Sequence, residues 1–480
     1  MDEMGLIIIS RLQGKVGHVL IILLDKAFKS PLKAHDLSIL LGRHTAEIFK
    51  SLPDIPGGVA GKGTQLGKFK VSPGDGNCHG QVVDKIGVIV VISQPAGHPG
   101  RDAPPVLLFG KELCKHMNQR LSTLMAELPG HLDAAIITSG VNRRYYLGLE
   151  STAGTLVAAR SDAFLFVDGR DREAAGARDA DITILPTEKI GRELPALMAR
   201  LGVRTAGVES SYMTLSGFES LRARLPGCVL TPDGALQEVI LRQRRHKSPE
   251  EVALIRKAQH ASERAYLNLL DFIRPGRTEK ELALELYRLC RQEPDVESAH
   301  TDLLLAGPNG SQPHGMAGDR PIRCGEFVTM DFGAVVEGYY ADMTRTVAVG
   351  ESDDEMRALY QLVLSAKNAA TAAIVPGIPC AEVDGVARQV IAAGGCGPAF
   401  CHGLGHSIGL EGHENPRFRE DSRAVVEEGL VMSVEPGVYF PGRLGLRIED
   451  LVYVGPQGVE VLNETSTELI VLPAGYSASR

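Results

Sequence analysis

The apolar and polar positions of this 480-residue chain fall into three textures. Between residues 117 and 245, short apolar runs (DAAIITSG, AFLFVDG, ITILP and TAGVES) alternate with stretches of helical period such as ELPALMARLG and GFESLRARL. Apolar runs of that length between helical segments predict a compact α/β domain. From residue 246 the pattern lengthens. Ser248 and Glu251, with Pro249 between them, predict a capped helix start, because proline has no N–H to leave unsatisfied at the first helical position. Leu254, Ala258, Ala261, Ala265 and Leu269 follow at steps of three and four, a single apolar stripe. Two further long helices and several glycine-punctuated hairpins complete an α+β domain over 246–480.

Residues 1–116 read differently. Apolar runs are mixed with PGGVAGKGTQLGK, SPGDGNCHG and QPAGHPGRDAPP, and no sustained helical or strand period joins them. This segment is either a Gly/Pro-rich loop system or an extension lying upstream of the working protein. Met117, in CKHMNQRLSTLMAEL, opens a clean helix pattern, and the segment before it is expected to be dispensable.

The chemistry gathers in two predicted hairpins. EFVTMDFGAVVEGYYADMTRTVAVG reads as two strands about a VEG turn, and a turn centred between Val336 and Glu337 sets Asp331 opposite Asp342. LVMSVEPGVYFPGRLGLRIEDLVYVG repeats the arrangement, with Glu435 and Glu449 symmetric about Gly442. Opposed side chains have Cβ atoms about 5 Å apart, where like charges destabilise. Both pairs lie among Val, Phe, Met, Leu and Ile, so surface salt bridging explains them poorly. Four such carboxylates carry about four negative charges that an apolar setting tolerates only when compensated. Two divalent cations balance them, and an imidazole completes the set. HGLGHSIGLEGH, residues 402–413, holds three of the 14 histidines; His406 is the expected ligand, with Gly403, Gly405 and Gly409 admitting close backbone approach. The predicted ligands are therefore Asp331, Asp342, His406, Glu435 and Glu449. Oxygen donors with one nitrogen suit Mn(II), with Co(II), Fe(II) or Zn(II) in its place. Paired cations suit hydrolysis. Stabilising an oxyanion and protonating a leaving amine would fall to His413 and to His314 in NGSQPHGMAGDR.

The bulk properties exclude some functions. A net charge of -8 offers no electrostatic footprint for nucleic acid, and no Lys/Arg run suggests an anionic membrane surface. The runs GLIIIS and VLIILL are bounded by Arg11, Lys15, Asp25 and Lys26, so neither a membrane span nor a secretory signal is read. The eight cysteines form no CxxC pair, which points to reduced thiols in the cytoplasm. Cys401, beside His402, reads as a small buried apolar residue rather than a site thiol.

Taken in order, His314, Asp331, Asp342, His402, His406, His413, Glu435 and Glu449 make the chain resemble the Xaa-Pro aminopeptidase and prolidase family from about residue 117 to 474. The resemblance rests on PHG, MDFGAVVEGYYADMTRTVAVGE, HGLGHSIGLEGHENP, VEPGVYF and RIEDLV, all in family order. It implies a pita-bread catalytic domain behind a smaller α/β domain like the creatinase/prolidase N-terminal domain, two bound metals, commonly manganese, and a homodimer. It also implies that Glu435 handles the proton of the nucleophilic water, that Arg447 orients a ligating carboxylate, and that His314 and His402 flank the substrate's proline ring. Methionine aminopeptidases share the five ligands but usually lack the preceding domain and a histidine at the place of His402. Creatinase keeps the architecture without the ligands. The implied activity is cleavage of proline-containing peptides after the N-terminal residue, with the dipeptide-only prolidase and a catalytically silent binding scaffold as rivals.

Overall fold

The computed structural model describes residues 6–14, 17–25, 86–93, 112–149, 153–176 and 182–474, with side chains from residue 119 onward. Residues 1–115 and 116–480 form separate compact units. In the first, Leu6–Gly14, Gly17–Asp25 and Ile86–Ser93 pair antiparallel in that order. Two of these strands hold the apolar residues of the runs GLIIIS and VLIILL, whose consecutive placement gives no alternation to mark a strand. The rest of the first 111 residues, including the Gly/Pro-rich stretches, lies outside the described residues.

The second unit begins within a helix, Glu112–Glu127, that starts ahead of Met117. Its first domain is a six-stranded sheet in the order Thr183–Pro186, Ala163–Val167, Gly154–Ala159, Ala134–Ile137, Thr205–Val208, Val229–Thr231. Four of these strands were legible from their apolar runs. Successive residues point to opposite faces and both faces are covered. Ile136, Val157, Phe164 and Phe166 pack with Leu194, Leu197 and Leu221. Ala135, Leu156, Leu165 and Val167 belong to a core shared with Leu236, Ile240, Ile255 and Leu451, which ties this domain to the next.

The C-terminal domain repeats one element order twice. Helices Pro249–Leu269 and Glu279–Gln292 precede the sheet of Val296–Ala306, Glu326–Val336 and Met343–Val349. Helices Asp354–Ala373 and Cys380–Ala393 precede the sheet containing Gly405–Ser407, Val431–Val434 and Asp450–Gly455. The expected capping box is present: the Ser248 side chain accepts from the Glu251 N–H and the Glu251 side chain accepts from the Ser248 N–H. Along the seam between the halves, the Thr346 hydroxyl donates to the Arg447 carbonyl at 2.9 Å and the Thr329 hydroxyl to the Gly445 carbonyl at 3.3 Å. There a Cβ on Gly445 would lie 2.1 Å from the Gly310 oxygen. No helix among the described residues is long and apolar enough to cross a membrane.

The register corrects one expectation. The first hairpin turns on Glu337 and Gly338, whose φ values of 47° and 79° are both left-handed, as two-residue hairpin turns prefer. Asp331 therefore faces Thr344, not Asp342. The ladder continues through Val335 and Tyr340, so Gly333 falls opposite Asp342 and the two aspartates are diagonal neighbours on one face. The second hairpin keeps its expected symmetry. Gly437 pairs with Arg447 and Val434 with Asp450, on either side of Glu435 and Glu449.

Charges fasten the histidine-bearing segment to the domain before it. Arg244 reaches Glu411 at 2.7 Å and Glu414 at 2.6 Å, Lys247 reaches Glu414 at 3.0 Å, and the Tyr212 hydroxyl donates to Glu411 at 2.6 Å. Burial pushes the Glu414 carboxyl up, but Lys247 and Arg244 outweigh it and hold it below its ordinary value. A depressed carboxyl contributes stability above its unfolded pKa and loses it as pH falls through the folded value. Arg244→Met is expected to cost about 3–5 kcal/mol, the scale for breaking one side of a buried pair. It should also move acid unfolding to higher pH. Urea and acid titrations followed by circular dichroism check both.

Candidate metal centre

Each half of the C-terminal domain supplies part of one carboxylate cluster. Asp331 and Asp342 come from the first half; His406, Glu435 and Glu449 come from the second. His406 is 6% exposed, Asp342 7% and Glu449 1%, so the cluster is withdrawn from water. Donor atoms of Asp342, His406 and Glu449 lie within 4.8 Å of one another, as do those of His300, Asp331 and Asp342.

The His406 ring is oriented from behind. Its Nδ1 lies 3.0 Å from the Ser407 carbonyl, which accepts the Nδ1 proton and aims Nε2 at the carboxylates. Nε2 faces Glu435 at 3.3 Å and Asp342 at 3.7 Å. Gly405 permits this strand to come close, since a Cβ there would meet the Ser433 oxygen at 2.1 Å. The Ser433 hydroxyl accepts from the His406 N–H at 3.0 Å and donates to Glu435 at 3.0 Å.

Arg447 supplies a buried positive charge from the other side. It forms a close ion pair with Asp331, donates to the Thr344 hydroxyl at 3.0 Å and to the Tyr439 hydroxyl at 3.1 Å. The Thr344 hydroxyl donates to Glu449 Oε2 at 2.7 Å. Tyr439 lies 3.0 Å from His402 Nε2, and His402 Nδ1 lies 2.8 Å from the Gly403 carbonyl. His402 is thus engaged at both nitrogens, and burial holds it below its ordinary pKa.

One guanidinium does not balance four carboxylates. Burial pushes Asp331 up to about 7 although Arg447 opposes it. Burial, then the charges of Asp342, Glu435 and Asp331, push Glu449 well above the carboxylate range. Burial opposes it, but the hydrogen bond to and charge of Glu435 raise His406 to about 9. Glu449 Oε1 is buried with no hydrogen-bond partner among the described residues. An orphaned carboxylate oxygen inside a cluster of excess negative charge fits divalent cations, which remove both defects together.

Other nominated residues vary in their distance from this cluster. His413 is exposed, with its ring 4.2 Å from that of His406. His314 is exposed in the loop after Gly307–Ser311, and among the described residues no hydrogen bond or ion pair ties it to the carboxylates. Cys401 is exposed rather than buried, because its neighbours turn His402 inward and leave position 401 outward. Sequence reasoning missed His300, Thr344, Ser433 and Tyr439. The three hydroxyl residues carry no signal of their own. His300, by contrast, stands opposite Gly333, the side-chain-free partner of Asp342, a relation only the register reveals.

The pattern of metallopeptidase family M24 matches residues 253–456, and that of the creatinase/prolidase N-terminal domain matches residues 118–246. A Bacillus subtilis peptidase, YqhT, is 34% identical over 355 residues, 74% of this chain and 99% of its own length. The chain belongs to metallopeptidase family M24. Two solved structures resemble this M24 peptidase throughout their length. One is a protein named Xaa-Pro dipeptidase from Bacillus anthracis, with TM-score 0.70 and 32% identity, covering 75% of this chain and 100% of its own. The other is a protein named X-Pro aminopeptidase from Thermotoga maritima, with TM-score 0.67 and 30% identity, covering 74% and 99%. The M24 peptidase is accordingly a hydrolase of a divalent-metal family, with a pita-bread catalytic domain behind a creatinase/prolidase N-terminal domain.

Proposed function

We propose that this M24 peptidase hydrolyses the bond between an N-terminal residue and proline, as an Xaa-Pro aminopeptidase acting in the cytoplasm as a homodimer. Asp331, Asp342, His406, Glu435 and Glu449 would hold two divalent cations, Mn(II) first among them. The observation that carries the metal pair is the buried, unpartnered Glu449 oxygen among four carboxylates and one arginine. When bound, the cations supply an acidified water and a Lewis acid for the substrate carbonyl.

The chain's own residues do the rest. Glu435, fixed by Ser433, receives the water's proton. Arg447 opposes the burial that raises Asp331, orients it and, through Thr344, steadies Glu449. His413, beside His406, donates to the developing oxyanion, and His314 serves the leaving amine. His402, committed to Tyr439 and the Gly403 carbonyl, shapes an apolar socket for the proline ring instead of moving protons. The preference for proline is supported by the names of the matched relatives.

The rival reading is an Xaa-Pro dipeptidase, favoured by the name of the Bacillus anthracis structure. Turnover of Xaa-Pro and Xaa-Pro-Xaa peptides decides between them: brisk dipeptide cleavage with inert tripeptides overturns the aminopeptidase. Stoichiometric metal without hydrolysis of any proline peptide would instead indicate a silent scaffold.

His413→Ala is expected to retain both metals and lose roughly 10²–10³ in kcat, the scale of one oxyanion donor. Loss of metal on purification would make His413 a ligand. A chain beginning at Met117 is proposed to fold, bind two metals and cleave proline peptides within tenfold of the full chain, a margin of about 1.4 kcal/mol in the transition state. Melting temperature and kcat/KM of the two chains test this.

A further inference from the structure

We infer that His300 is a second imidazole ligand of the metal centre, joining the cation held by Asp331 and Asp342, and that its nitrogen raises the affinity of that position for Co(II) and Zn(II) more than for Mn(II). The inference rests on the metal-pair reading above.

Asp342 is bracketed by two rings. Its Oδ1 lies 3.3 Å from His300 Nε2 and its Oδ2 lies 3.7 Å from His406 Nε2, so each carboxylate oxygen faces one imidazole. One donor atom from each of His300, Asp331 and Asp342 falls within 4.8 Å of the others, matching the grouping of Asp342, His406 and Glu449 on the other side.

The topology repeats the relation. In each half, the first strand after the second helix carries the histidine: His300 on Val296–Ala306 after Glu279–Gln292, and His406 on Gly405–Ser407 after Cys380–Ala393. Each strand then pairs with the one that bears or leads to the next carboxylate, Asp331 or Glu435.

Local structure clears the path. His300 is in register with Gly333, and Asp342 is the next residue in that row. A Cβ on Gly333 would lie 2.6 Å from His300 Cε1, so any side chain there would push the ring off Asp342. Register shifts on both sides, between Val296 and Ser298 and between His300 and Leu303, bracket the residue; such bulges re-aim side chains beside sites. The ring is 39% exposed and is not held in place by packing alone. An imidazole added to carboxylates raises affinity most for the later first-row ions.

The test titrates metal-free, full-length protein with Co(II) and with Mn(II), followed by calorimetry and by the visible absorption of Co(II). Wild type is expected to bind two Co(II). His300→Phe, which keeps the ring's shape, should lose at least tenfold in affinity for one Co(II), alter that ion's absorption, and lose less for Mn(II). His300→Gln, which can still donate to Asp342, should behave like His300→Phe. Unchanged affinity and spectrum in both variants, with metal-free melting showing them folded, overturns the assignment. So does full recovery by glutamine, which would leave His300 only a hydrogen-bond donor that positions Asp342. Fewer than two Co(II) in wild type sinks the metal pair itself, and this assignment with it.

Discussion

Glu449→Gln is expected to lose one bound metal and about a thousandfold or more in kcat/KM, a loss of about 4 kcal/mol, while the metal-free protein melts at a higher temperature than wild type. The two effects have one cause. Without metal, the Glu449 carboxylate is buried among Asp342, Glu435 and Asp331, which push its pKa well above the ordinary value. A carboxyl with a raised folded pKa costs nothing below its unfolded pKa of about 4.3, and its cost grows as pH rises toward the folded value. The amide removes that cost. It can also keep accepting from Thr344, and its N–H groups face carboxylates where Glu449 Oε1 has no partner. The melting advantage should vanish near pH 4 and grow as pH rises from there. Asp331→Asn should lose metal and activity in the same way without the gain in stability, because it leaves the buried Arg447 without its ion-pair partner. Wild-type turnover in either variant would remove that residue from the ligand set. A Glu449→Gln protein that melts lower at about pH 8 would show that the carboxylates do not repel in the metal-free state.

Much of this arrangement is legible in the sequence. The hairpin about Gly442 could be read because its register is symmetric and its neighbours apolar, so Glu435 and Glu449 fell opposite each other as expected. The first hairpin was read one step short. VEG does not reveal whether Glu337 or Val336 enters the turn, and only the left-handed φ of Glu337 settles the pairing of Asp331 with Thr344. A slip of that size changes who faces whom without removing either aspartate from the face, which is why the ligand candidates survived it. His300 escaped because its strand has two register shifts, and no period in ESAHTDLLLAG predicts a bulge. The Arg447, Tyr439 and His402 chain is joined only by folding, since its members lie on segments that a sequence pattern treats independently.

Arg447→Met should unfold the metal-free protein at markedly lower urea, with a loss of about 3–5 kcal/mol, the scale for leaving a buried charge without its partner. Arg447 is 4% exposed, and its guanidinium serves Asp331, Thr344 and Tyr439 together. Its removal leaves the carboxylates with no fixed positive charge beside Asp331. Added Mn(II) is expected to restore most of the lost stability, because the cations then supply that charge. Activity should stay at least a hundredfold low even when metal is saturating, since nothing then fixes the orientation of Asp331. Urea midpoints with and without Mn(II), read beside kcat, separate the two roles. Equal midpoints for variant and wild type in the metal-free state would mean that Asp331 is already neutral there and needs no partner.

The contact of Gly310 with Gly445 sets a hard stop on the distance between the two halves. Two main chains already touch, so the gap cannot shrink, and Thr329 and Thr346 tether it against widening. Two residues beyond Gly445 stands Arg447, and two beyond that Glu449, so the stop fixes their offset from Asp331 and Asp342 as the anvil of a caliper fixes its jaw. At the proposed metal pair such a gauge would sort ions by radius. Calcium, which takes more ligands at about 2.3–2.6 Å and relies on walls that give way, would have to pry the halves apart.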